Sequence, residues 1–189
     1  MVDFDVVDLG PTDHVAVGET APDFTRPLAT AEEWADRSLA SIADDGPTVL
    51  VFTTMAGAFL AKYTLTELRD RGVGIADPVH GADADDAVAA TDPGSDAATV
   101  VAVSISSPYE LVRFLDENEL PYGVFSDPAN EVAEAYGVVH DLDGMAAIAE
   151  PRPAIFVLDD ERTIEYAWVA EEWPDTPPYD DVEAAIDDL

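Results

Sequence analysis

The stretch "VFTTMAGAFLAKYTLTELRD", residues 51–70, decides the architecture. "TVLVF" (48–52) is a short, apolar, β-branched run of the kind that forms a buried central strand. Beyond it, Leu60, Ala61, Leu65 and Leu68 fall on one helical face between about Ala58 and Arg71. A buried strand that turns sharply into an amphipathic helix predicts an α/β layer.

The pattern repeats outward from there. "TVVAVSI" (99–105) reads as a second buried strand. Ser107 then stands as N-cap, Pro108 at the first helical position and Glu110 closing a capping box, with the helix running on through Leu111, Val112 and Leu115. "YGVFSD" (122–127) is a third strand. Asp127 is placed to cap the next helix, Pro128 to start it and Gly137 to end it. "PAIFVLD" (153–159) and "IEYAWVA" (164–170) predict an antiparallel hairpin across a polar turn. Val182, Ala185, Ile186 and Leu189 mark one face of a last helix, and "MVDFDVVDLG" (1–10) alternates like a strand. From residue 48 the expected order is β-α-β-α-β-α-β-β-α in a single domain over 1–189. Residues at about 73–98, rich in Asp, Ala, Gly and Pro, read as a long acidic insertion.

Composition narrows the function. The 189 residues include 41 acidic and 8 basic ones, a net charge of −33, which repels phosphate backbones and anionic lipid. Neither nucleic acid nor membrane is therefore an expected partner. Hydrophobic residues make up 48%, too many for a disordered acidic tail, and the charge is spread along the chain. Such a surface suits molar salt, where a Debye length of about 3 Å screens self-repulsion. With Lys62 the single lysine, the reading is a cytoplasmic, halophilic protein. No apolar run reaches the roughly 18 residues of a membrane span, and the N-terminus lacks the basic start of a signal peptide. The chain has no cysteine, which excludes disulfides, thiolate catalysis and cysteine-bound metal together.

Four segments carry a specific resemblance. "VGETAPDF" (17–24), "TVLVF" with its helix, "SDPANEVAEAYGV" (126–138) and "RPAIFVLDDERTIEYAWVA" (152–170) resemble, in order and spacing, the peroxiredoxins, the AhpC/TSA branch of the thioredoxin fold. The resemblance covers roughly residues 15 to 189. It implies a mixed central sheet flanked by helices, with the long acidic loop inserted. It also implies a reactive cysteine in the first turn of the helix, a threonine three residues before it and a proline earlier in the turn. A helix N-terminus lowers a thiol pKa, and the thiolate reduces peroxide through a sulfenic acid. In register, those positions hold Thr54 for the proline, Ala58 for the threonine and Ala61 for the cysteine. The family's arginine position is Pro153, with Arg152 one residue earlier. Relatives of this fold place a cis-proline beside the active site, so the Arg152–Pro153 bond is read as either cis or trans.

Other candidates are weaker. His14, His80 and His140 show no metal-ligand spacing. His80 lies beside Asp77 and Asp83 in the acidic loop, and His140 beside Asp141 and Asp143 without a marked nucleophile. Thr53, Thr54, Thr64 and Thr66 surround the turn and either bind a small anion or satisfy local backbone. Met55 is a target for sacrificial oxidation. Trp168 and Trp173, with "EEWPDTPPY" (171–179), form either a packed lid or an exposed contact surface.

The expectation is thus a degenerate peroxiredoxin-like protein with no catalytic residues and no cofactor or metal. It binds a protein partner or forms a homodimer, with Thr53, Thr54, Arg152, Pro153 and Trp173 as binding candidates. The alternative is a repurposed, non-thiol pocket, in an enzyme or a small-molecule or anion binder.

Overall fold

A computed structural model describes residues 6–44, 46–75, 98–140 and 146–189. Most of residues 73–98, together with His80, Asp141 and Asp143, lies outside the described residues.

The opening stretch folds as its pattern predicts. Strand β4 (Thr48–Phe52) is buried along its whole length, and helix α2 (Phe59–Asp70) follows. The alternation of β4 splits its side chains between two cores. Val49 and Val51 enter one cluster with Leu65 and Leu68 of α2. Leu50 and Phe52 enter the other with Val132, Ala133 and Tyr136. A strand with both faces covered has to be apolar throughout, which is what "TVLVF" supplies.

Among the described residues the main sheet has seven strands. Its centre is β4 beside β5 (Thr99–Ser104) and β6 (Gly123–Ser126), mutually parallel. On the other side of β4, β9 (Ala154–Leu158) pairs antiparallel, and β10 (Ile164–Val169) completes the predicted hairpin. The first cluster is covered by α2, α3 (Pro108–Glu117) and α5 (Tyr179–Asp187). The second is covered by α1 (Ala40–Ala43), with Leu39 and Ile42, and by α4 (Glu131–Ala135).

The structure corrects the sequence reading in three places and decides one open alternative. An antiparallel hairpin, β2 (Thr25–Ala29) with β3 (Trp34–Ser38), extends the sheet beyond β6, and the sequence reading had no element there. The helix after Asp127 starts at Glu131, because residues 127–130 first make a turn in which the Asn130 N–H donates to the Asp127 carbonyl at 2.9 Å. Asp127 still receives the Val132 N–H at 2.8 Å, so its capping role stands while the helix start moves. Leu189 lies beyond α5 and is exposed. The Arg152–Pro153 bond is trans, and the cis bond among the described residues is Trp173–Pro174.

Two short antiparallel pairs tie loops to this frame. β1 (Val7–Asp8) pairs with β11 (Glu172–Trp173), so Trp173 is half-buried in a packed segment. β7 (Val139–His140) pairs with β8 (Glu150–Pro151) and brings Glu150 beneath the turn that joins β4 to α2. Gly137 sits in the left-handed region at φ +69°, where an added Cβ would lie 2.3 Å from the Asp13 carbonyl oxygen. Only glycine permits that backbone approach.

Candidate functional site

The turn between β4 and α2 is held from below by the ends of the neighbouring strands. Thr53 donates its N–H to the Val103 carbonyl at 3.1 Å, which continues the parallel ladder one step past β4. The Ser104 hydroxyl donates to the Thr54 carbonyl at 2.8 Å. Both threonines are buried, and Thr54 Oγ1 has no hydrogen-bond partner among the described residues. The Met55 N–H donates to Glu150 Oε1 at 3.2 Å, and the Ala56 N–H to Ser106 Oγ at 2.9 Å. Ser126 in turn donates its hydroxyl to the Ser106 carbonyl at 2.8 Å. Hydroxyls at the ends of β5 and β6 thus fix the turn, one strand supporting the next.

Glu150 is the residue that sequence reasoning missed. Its side chain is 1% exposed, and its carboxylate sits on a backbone N–H of the turn that leads into α2. Backbone donors and a helix N-terminus favour negative charge, so a carboxylate there is electrostatically well placed. The donors of Met55 and Ala56, which could face an outside ligand, are engaged from within the chain. A lone glutamate between an alanine and a proline gives no local signal of this role.

Beyond the turn, Ala58 is the N-cap of α2 and supplies no side-chain oxygen. Ala61 points into the core at 1% exposure. The outer face of the helix start is aromatic. Phe59 is 62% exposed and stacks on Tyr63 with ring centroids 5.7 Å apart. Thr64 is buried and Thr66 half-buried on the same helix.

Arg152 faces away from this turn. Its guanidinium donates to the carbonyls of Leu9 at 3.0 Å, Gly10 at 3.1 Å and Ala170 at 3.2 Å. It is 4% exposed, and burial lowers its pKa from the ordinary arginine value. In extended chain a one-residue offset turns a side chain to the opposite side, which fits an arginine one position early. Pro153 is buried, and its carbonyl accepts the Ala170 N–H at 2.9 Å. The five binding candidates therefore divide. Thr53 and Thr54 lie in the turn, while Arg152, Pro153 and Trp173 belong to the packing around β1, β9 and β11.

His14 and His140 are the described histidines. His14 Nδ1 lies 2.7 Å from the Val15 carbonyl, and its ring meets Phe156 edge-on. His140 is in β7. No group of three or more histidine or carboxylate side chains with metal-holding geometry occurs among the described residues. No helix among them is long and apolar enough to cross a membrane.

Comparison with known proteins agrees with this architecture. Residues 87–167 match the AhpC/TSA family, a span under half of the chain. No curated protein sequence matches. Among solved structures, the peroxidoxin BcpB from Mycobacterium tuberculosis superposes with a TM-score of 0.64 at 21% identity, over 92% of this chain and 96% of its own. A peroxiredoxin-like protein from Aquifex aeolicus gives 0.66 at 21% identity, over 97% and 91%. A reduced 2-Cys peroxiredoxin from Plasmodium vivax gives 0.65 at 14% identity, over 90% and 80%. The fold is that of the peroxiredoxins, on a chain without a cysteine.

Proposed function

We propose that this chain, of the AhpC/TSA peroxiredoxin family by match and fold and lacking cysteine, is a binding module without thiol peroxidase chemistry. One observation carries the reading. The turn that would hold a peroxidatic thiol is closed from inside, with Glu150 and Ser106 on its N–H groups and Ala61 in the core. An alanine methyl cannot accept the oxygen that a thiolate takes from peroxide.

Beside the closed turn stands the stacked Phe59–Tyr63 pair. Exposed aromatic side chains anchor protein interfaces because they bury large area at little entropic cost. A protein partner docks on this face of α2, or a second copy of the chain does. The acidic surface suits the work to a salt-rich cytoplasm.

Two measurements in molar KCl test this. Peroxide consumption with a competent thioredoxin system is expected to equal the no-protein control, and turnover above it refutes the loss of chemistry. Tagged purification at native expression is expected to recover a stoichiometric partner or a homodimer, lost in Phe59→Ser. A monomer recovered alone refutes the binding reading.

A further inference from the structure

The outer stripe of α2 holds more than its aromatic pair. Phe59, Lys62, Tyr63 and Thr66 follow one another at helical spacing, on the side away from Leu60, Ala61, Leu65 and Leu68 in the core. Phe59, Lys62 and Tyr63 are exposed, and Thr66 is half-buried. Gly57 leaves the head of the stripe open, with nothing within 4 Å of an added Cβ.

What sets this stripe apart is the absence of acid. Residues 46–66 contain no aspartate or glutamate, the longest such run in a chain with 41 acidic residues, and they contain its single lysine. Among the described residues Lys62 enters no ion pair. Arg37 and Arg113 enter none either, but both have acid close along the chain. Asp36 precedes Arg37, and Glu110, Asp116 and Glu117 lie within about one turn of Arg113 on α3. The acid nearest to Lys62 in sequence is Glu67, which already pairs with Arg71 at 3.2 Å.

A lysine in water needs no partner, whereas one covered by an interface does. Any protein that buries the Phe59–Tyr63 rings also desolvates the neighbouring ammonium, and a buried charge without a counter-charge is costly. A second copy laid on the stripe by a two-fold axis brings another acid-free stripe and a second lysine, so it supplies no counter-charge. The complement has to carry its own carboxylate.

Resting on the binding role of this face, we propose that the α2 stripe takes a protein segment in which an aspartate or glutamate stands near apolar side chains. The carboxylate pairs with Lys62, and the apolar groups cover the Phe59–Tyr63 rings. Lys62 is three positions from Phe59 on one helical face, so the two contacts lie one helical turn apart. A carboxylate and an apolar side chain span that distance when one or two residues apart in extended chain, or three or four apart on a helix. The charge of −33 repels such a segment in dilute buffer, and molar salt screens that long-range repulsion while close contacts persist.

The probe is a phage-displayed library of random dodecapeptides, selected on the full chain in molar KCl. Wild type is expected to enrich peptides with an acid at that spacing from Phe, Leu or Trp. Lys62→Glu is expected to enrich Lys or Arg in place of the acid, and Phe59→Ser to enrich nothing. By fluorescence anisotropy, a synthetic enriched peptide should bind Lys62→Gln at least about tenfold more weakly than wild type. Replacing the peptide's carboxylate by the amide should cost a similar factor on wild type and little more on Lys62→Gln, the mark of a direct pair. Phe59 and Lys62 are exposed, so the variants should keep the wild-type circular dichroism spectrum. Three results would overturn the proposal: no enrichment on wild type, enriched peptides whose acid is absent or costs the same on both proteins, or a Phe59-dependent dimer, in which a second copy covers the stripe. The binding role itself is read separately, by Phe59-dependent recovery of a partner or homodimer, and survives any of the three.

Discussion

Replacing Arg152 by alanine separates a structural arginine from a ligand-facing one. The guanidinium joins three carbonyls from two segments, Leu9 and Gly10 at the N-terminal end and Ala170 after β10. Hydrogen bonds from a charged donor contribute about 1.5–3 kcal/mol each, but burying the charge offsets part of that. Taking about 1 kcal/mol net for each of the three, Arg152→Ala should lose about 3 kcal/mol. For a chain of this size the melting temperature should fall by about 6–12 °C. The loss should also be local. The Leu9 N–H, which donates to the Glu171 carbonyl at 2.9 Å, should exchange faster as the β1–β11 pair loosens. Arg152→Lys should recover only part, because one ammonium cannot span three acceptors in the fork geometry. Thermal denaturation and amide exchange in molar KCl measure both effects. A shift under about 0.5 kcal/mol with Leu9 protection intact would refute the strut and return Arg152 to the pool of ligand-binding residues.

Four further substitutions probe other parts of the fold. Gly137→Ala should cost more than about 2 kcal/mol in denaturant titration, from the 2.3 Å clash with the Asp13 carbonyl at φ +69°. Gly57→Ala, at φ +90° with nothing within 4 Å, should cost only the roughly 1 kcal/mol of left-handed backbone. The Glu110 carboxyl is held below the usual carboxylate range by the N–H and hydroxyl of Ser107, at 2.9 and 2.8 Å. Its contribution to α3 is therefore full above the unfolded value of about 4.3 and is lost as pH falls through the lower folded value. NMR titration should show that depressed midpoint, and Ser107→Ala should raise it. Ala61→Cys alone should leave a core-facing thiol that reacts slowly with a chromogenic disulfide until denaturant is added, and rapid native labelling would contradict the burial of this position.

What could be read ahead of the structure was local. Ser107, Pro108 and Glu110 announce α3 because a capping box needs only residues three apart. "TVLVF" announces a central strand because both faces must be apolar. The β2–β3 hairpin escaped for the converse reason. β3 is an edge strand reading Trp-Ala-Asp-Arg-Ser, four of its five residues are exposed, and its pairing is set by β2 rather than by its own pattern. Pro128 looked like the first residue of a helix, but Asn130 takes φ +61° and delays the start by a turn. Within the site, the strand-to-helix pattern was enough to put Thr54 in the turn and Ala58 and Ala61 at the start of α2, whereas nothing local marked Glu150. It meets Met55 across 95 positions of chain, through the β7–β8 pair that delivers it.

That contact also explains how such a turn stays stable without a thiolate. Backbone donors that face an empty anion position in a buried turn cost about 1–3 kcal/mol each when unpaired. Glu150 and Ser106 remove that cost for Met55 and Ala56 by accepting their N–H groups from within the chain, so the turn that leads into α2 is satisfied by its own fold.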